Sequence, residues 1–113
     1  PYLFQIEIEG YESLMHRISS CHYKKSTLGF GPDFFLEFEV YENEDFAARK
    51  SFDSWPGRKL NLVVFSMTGD EIYREELIIG DVSYEGGFDW SVRDQLFTWA
   101  VSIGANKEIK ELE

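Results

Sequence analysis

Cys21 and His22, the chain's one thiol and one of its two imidazoles, stand side by side. A cysteine-histidine nucleophile needs its imidazole within hydrogen-bond reach of the sulfur. Neighbours on an extended strand point to opposite faces, so this pair cannot converge. His22 reads as a surface residue and Cys21 as a small buried one. His16 shares the parity of His22, but six residues of strand would hold them roughly 20 Å apart. That is too far for one metal ion, and no CxxC or HxxxH spacing occurs. Metal binding through thiolate or imidazole is therefore not expected.

The carboxylates Glu7 with Glu9, and Glu37 with Glu39, stand two apart. Such pairs can do acid-base work, but on strands they describe a solvated face with like charges spread along it. Gly29-Phe30-Gly31-Pro32 is the one glycine-rich loop. It lacks the second half of GxGxxG, and Lys25-Ser26-Thr27 precedes it where a P-loop would place its lysine after the glycines. It reads as a turn-forming connection. Nothing resembles a DxDxDG calcium loop. The expectation is a protein without enzymatic activity, cofactor or metal.

The elements around these residues alternate with a period of two. Phe4, Ile6 and Ile8 are interleaved with Gln5, Glu7 and Glu9, giving one buried and one wet face. Leu14 to Tyr23 reads as a second, weaker strand. Residues 26–33 form a loop. From Phe34 the pattern resumes, with Phe34, Leu36, Phe38 and Val40 on one face and Glu37 and Glu39 on the other. The one helical candidate is Glu44 to about Ser54. Asn43 serves as its N-cap, Glu44 and Asp45 meet the positive end of the helix dipole, and Ala48, Phe52 and Trp55 form a single stripe. Pro56-Gly57 stops it.

Asn61 to Phe65, a turn at Met67 to Asp70, and Ile72 to Ile79 make a hairpin. A corner leads to Asp81-Val82-Ser83-Tyr84-Glu85, a Gly86-Gly87 break, and a closing strand from Leu96 to Ile103. There Phe97, Trp99, Val101 and Ile103 share a face opposed by Thr98, Ala100 and Ser102. That small, weakly polar row suits contact with another protein or packing under a loop. The tail from Asn106 to Glu113 is charged and expected to fray. The fold class is mainly β, a small antiparallel barrel or sandwich with one short α-helix, in one domain over residues 1–113.

Composition narrows the partners. A hydrophobic content of 43%, with ten Phe, six Tyr and three Trp, suffices for a packed core. No run reaches the roughly 18 apolar residues of a transmembrane helix, so membrane insertion is not expected. A lone cysteine excludes an internal disulfide and fits a reducing compartment. The acidic-apolar alternation at the start lacks a signal-peptide pattern, so a cytoplasmic location is expected. The formal charge of −10 argues against nucleic acid, because the densest basic cluster is only Lys24-Lys25.

The order of elements resembles the Hcp-type tube proteins (TssD) of type VI secretion systems and, more broadly, the phage tail-tube fold. The likeness runs through Phe4 to Glu9, Ser19 to Tyr23, Leu36 to Val40, the short aromatic helix Asp45 to Trp55, the hairpin of Leu62-Val63-Val64-Phe65 with Glu75-Glu76-Leu77, and Asp81 to Asp89. The loop at residues 26–33 is short for that family. The resemblance implies a bacterial structural subunit that forms a hexameric ring, stacked into a tube whose lumen can carry effector proteins. It implies self-association, contact with other parts of the apparatus, and export through that apparatus without a signal peptide. The candidate subunit interface is Lys24, Lys25, Phe30, Thr98, Ala100 and Ser102, with Arg49, Lys50 and Arg58 as further ion-pairing partners. Six copies at −10 each repel, so association is expected to strengthen as salt rises from low values.

Two other readings remain open on the residues alone. An aromatic-rich barrel can enclose an apolar ligand as a small-molecule carrier. A small acidic domain can instead act as an immunity or inhibitor-type protein that neutralises a basic partner.

Overall fold

A computed structural model describes residues 3–26, 29–87 and 96–108. The strands are β1 (Leu3–Ile8), β2 (Ile18–Lys25), β3 (Phe34–Tyr41), β4 (Lys59–Phe65), β5 (Glu71–Gly87) and β6 (Thr98–Asn106), with one helix, α1 (Ala47–Ser51). They form one antiparallel sheet in the order β1-β4-β5-β6-β3-β2, curled into a half-barrel. The expected mainly β, antiparallel class with a single short α-helix is what the chain adopts.

Parity decides which residues enter the core. Ile6 and Ile8, Leu60 and Leu62, Leu77 and Ile79, Val101 and Ile103, and Phe34 to Val40 at even positions all point into the half-barrel. The alternation in β3 is complete, with Phe34, Leu36, Phe38 and Val40 buried and Phe35, Glu37 and Glu39 exposed. Ala48, Phe52 and Trp55 fill the concave side, each at most 1% exposed. Trp55 packs edge-on against Phe52 (4.9 Å between centroids) and stacks on Phe38 (6.3 Å). Removing a buried aromatic of this kind costs about 3–5 kcal/mol.

Three bulges help to curl the sheet, since an unpaired residue bends its strand and increases local twist. The expected corner after Ile79 is one of them. β5 runs unbroken from Glu71 to Gly87, with its register to β6 shifting between Ile79 and Asp81. The extra residue, Gly80, moves the inward positions from Leu77 and Ile79 to Val82 and Tyr84, which join the core. One strand thus looks like two in sequence. Gly86-Gly87 is not a break but the end of β5, paired with Trp99 and Thr98. At Gly86 a Cβ would lie 2.4 Å from the Trp99 ring, so the indole lies against bare backbone. The polar loop expected beyond Gly87 falls outside the described residues.

Leu14 to Tyr23 is not a single strand. Glu12–Arg17 forms a 3₁₀ turn and β2 begins at Ile18. Leu14 and Arg17, three apart, are both buried, as the three-residue repeat of that turn allows. His16 is exposed on this turn and does not share a strand with His22.

The helix is also shorter than expected. α1 spans Ala47–Ser51 and tightens into a 3₁₀ turn at Phe52–Ser54. Asn43 is not its cap. Phe46 adopts a left-handed conformation (φ 51°) just before the helix. The first amides are served instead by Asp45 Oδ1, which accepts from Ala47 N (3.1 Å), and by the Glu42 carboxylate, which accepts from Ala48 N (3.1 Å) and Arg49 N (2.8 Å).

The closing strand starts at Thr98 and continues to Asn106. Asn106 belongs to the sheet rather than to a frayed tail, and its Oδ1 accepts from Asp33 N at 2.9 Å. Residues 109–113 of that tail fall outside the described residues.

Candidate functional site

The outer surface of β2, β3, β6 and β5 presents the rows that the sequence singled out. Register places Lys24 beside Phe35, His22 beside Glu37, Glu37 beside Ser102, and Ser102 beside Ser83. One row up, Glu39 faces Ala100, which faces Glu85. One row down, Phe35 faces Gly104, which faces Asp81. Ala100, Ser102 and Gly104 therefore form a low floor between carboxylate walls, Glu37 and Glu39 on one side and Asp81 and Glu85 on the other. Shallow depressions of about 180 and 370 Å³ lie along it. Pro32 folds over one end, and a Cβ on Gly104 would come within 2.8 Å of its ring.

This face gathers Lys24, Thr98, Ala100 and Ser102 from the candidate interface. Lys25, with the opposite parity, turns inward, its Nζ over the Phe34 ring at 5.6 Å. Phe30 sits in the β2–β3 connection and is 75% exposed. Arg49 and Lys50 lie on α1, across the sheet from this face. Arg58 stacks on Tyr11 at 5.0 Å and donates from Nε to Ser54 O.

The row His22, Glu37, Ser102, Ser83 contains the residue types of a hydrolase triad in the wrong order. A triad needs its histidine between acid and nucleophile. Here Glu37 separates His22 from Ser102, which stand two strands apart, about 10 Å. No group of three or more His, Cys, Asp or Glu among the described residues could hold a metal ion. Cys21 is half-buried, and burial pushes its thiol up to about 11, away from the thiolate a nucleophile requires.

A cluster of charged and phenolic groups lies on the inner parity of β5, at Glu75. Tyr73 Oη donates to its carboxylate at 2.5 Å and Lys107 Nζ lies 3.2 Å away. The Tyr73 hydrogen bond holds the Glu75 carboxyl below its usual value, against the effect of burial and with help from Lys107 and Lys25. Burial first, and then the negative charge of Glu75, push Tyr23 up to about 12. This cluster ties β2 and β5 to Lys107, just beyond β6.

Glu42 and Glu75, both buried, were not singled out in the sequence. Parity carried the signal: Glu42 continues the inward positions Phe34 to Val40, and Glu75 precedes Leu77 and Ile79. The chain matches no family model, no curated protein and no solved structure. No helix among the described residues is long and apolar enough to cross a membrane.

Proposed function

We propose that this chain is a self-associating structural subunit, forming rings in the manner of the secretion-system tube proteins that its sequence resembles. The observation that carries the reading is the outer face, a four-strand surface whose central floor of Ala100, Ser102 and Gly104 carries small side chains or none and lies between acidic rows. Such a surface allows close backbone approach by another subunit. Lys50 and Arg58, outside every ion pair among the described residues, belong to the α1 side. A contact between the acidic face of one copy and the α1 side of the next joins two different surfaces. Repetition of such a contact closes into a ring when the rotation permits. The half-barrel is filled by Phe52 and Trp55, which favours this reading over a small-molecule carrier.

The acidic walls also support a second reading, an immunity-type domain that binds one basic protein. Light scattering after size exclusion, at low and moderate salt, separates the two. The ring reading expects a species near six times 13.2 kDa; growth of that species with salt would mean that screening of the net repulsion dominates, and its loss at moderate salt that pairing of the acidic face with Lys50 and Arg58 dominates. A monomer at both salts and at high concentration overturns it, and stoichiometric capture of a basic partner by that monomer supports the second.

A further inference from the structure

β1 and β2 are the two edges of the half-barrel, and they face each other across a groove of about 200 Å³. Phe4, Ile6, Met15, Ile18 and Cys21 supply most of its walls. The volume falls below the roughly 300 Å³ at which small-molecule sites begin. It holds one or two side chains.

The backbone of β1 is unusually ready to pair. Glu9 N donates to Lys59 O, which fixes the phase of the β1–β4 ladder: odd residues of β1 bond toward β4. In an antiparallel pair the N–H and C=O of a given residue point the same way. Those of Phe4 and Ile6 therefore point outward, into the groove, while the Ile8 carbonyl is taken by Tyr11 N. No described strand pairs with them. β1 carries no lysine, proline or bulge, and its one charge, Glu7, has the odd parity and pairs with Arg74 rather than guarding the outward amides. Phe4 remains 56% exposed on the inward parity. The opposite wall differs. β2 is bulged between Ser19 and His22, and Ser20 is held at φ 53°, so its edge offers no regular ladder.

From these features we infer that the β1–β2 groove accepts one extended polypeptide segment as an added strand on β1. Two of its residues, spaced by one, pair with Ile6 and Phe4 and send apolar side chains into the groove. The residue between them faces outward beside Gln5. Basic residues flank this pair, because Glu9 and Glu12 are exposed at the Ile8 end and the chain carries −10. A second folded copy does not fit, since its own sheet would follow the strand into a groove already walled by β2. The occupant is an unstructured segment of another protein, recognised by backbone bonds and alternate pockets.

The probe is a synthetic peptide, KVTVTVK, added to the ¹⁵N-labelled chain. Slowed exchange of the Phe4 and Ile6 amides is expected, with no change in odd-numbered β1 amides. The same peptide carrying N-methyl groups at its edge-facing amides keeps its charge and should bind at least tenfold more weakly. Phe4→Pro removes an N–H that β4 does not use, so it should leave the melting temperature intact and weaken the peptide at least tenfold. Phe4→Ala retains that N–H and should weaken it less. Equal binding of the N-methylated peptide, equal binding to Phe4→Pro with its fold intact, or no protection at about 1 mM peptide each overturns the proposal. If Phe4→Pro unfolds, the N-methylated peptide on the native chain decides.

Discussion

Glu42 and Trp99, 57 positions apart, meet in a hydrogen bond of 2.8 Å from the indole Nε1 to the carboxylate. The same carboxylate receives the amides of Ala48 and Arg49, so the exit of β3, the start of α1 and the start of β6 share one acceptor. Glu42→Ala would leave one buried and two half-buried donors without this partner, at a cost of about 3–5 kcal/mol. Glu42→Gln keeps part of the acceptor capacity and should cost about half as much. Urea unfolding followed by tryptophan fluorescence measures both. A loss under about 1 kcal/mol for the alanine variant would show that the three contacts do not hold α1 in place.

The Glu75 cluster makes a signed statement about pH. Its folded carboxyl lies below the ordinary value of 4.5, chiefly through the Tyr73 hydrogen bond. The stabilisation is therefore complete above the unfolded value and disappears as pH falls through the folded one. Glu75→Gln should flatten the acid limb of a stability-pH curve, with little change in its shape above neutrality. An unchanged acid limb would exclude Glu75 as a source of that dependence.

Cys21 should react slowly. Raising its thiol from 9.0 to about 11 lowers the thiolate fraction at pH 8 roughly 100-fold. Alkylation by iodoacetamide should be slower than for a free thiol by about that factor, and denaturant should restore the rate. Fast labelling of the folded chain would contradict the burial.

Gly86→Ala forces a methyl group into the Trp99 ring, 2.4 Å from Cε3 in the present arrangement. Displacing that indole disturbs its contacts with Phe52 (5.7 Å) and Tyr84 (5.5 Å). A loss of about 1–3 kcal/mol is expected, together with a changed near-ultraviolet circular dichroism signal. A neutral substitution with an unaltered spectrum would mean the ring has another place to go.

Ser102→Arg tests the outer face. Ser102 is exposed, so the substitution should leave the melting temperature within a few degrees. If the outer face carries the proposed self-association, a large side chain on its floor should abolish the assembled species in light scattering. Unchanged association would move the interface elsewhere.

What the sequence determined by itself was local. Alternation placed Phe34 to Val40 and Val101 to Ile103 inward, and the spacing of Ala48, Phe52 and Trp55 placed the helical stripe. These follow from side-chain direction, which repeats every two residues on a strand and every three to four on a helix. Tertiary structure decided which strands became neighbours, and with that the two edges at β1 and β2. It joined Ile72 to Ile79 with Asp81 to Glu85 through the Gly80 bulge, and it turned Lys25 inward while leaving Lys24 outside. It also delayed the helix, because Glu42 served the amides of Ala48 and Arg49 while Phe46 turned left-handed before them. Period-two patterns distinguish two faces but do not name the partner of either. Strand order and shared acceptors depend on contacts between residues far apart in the chain, formed when the sheet curls around its core.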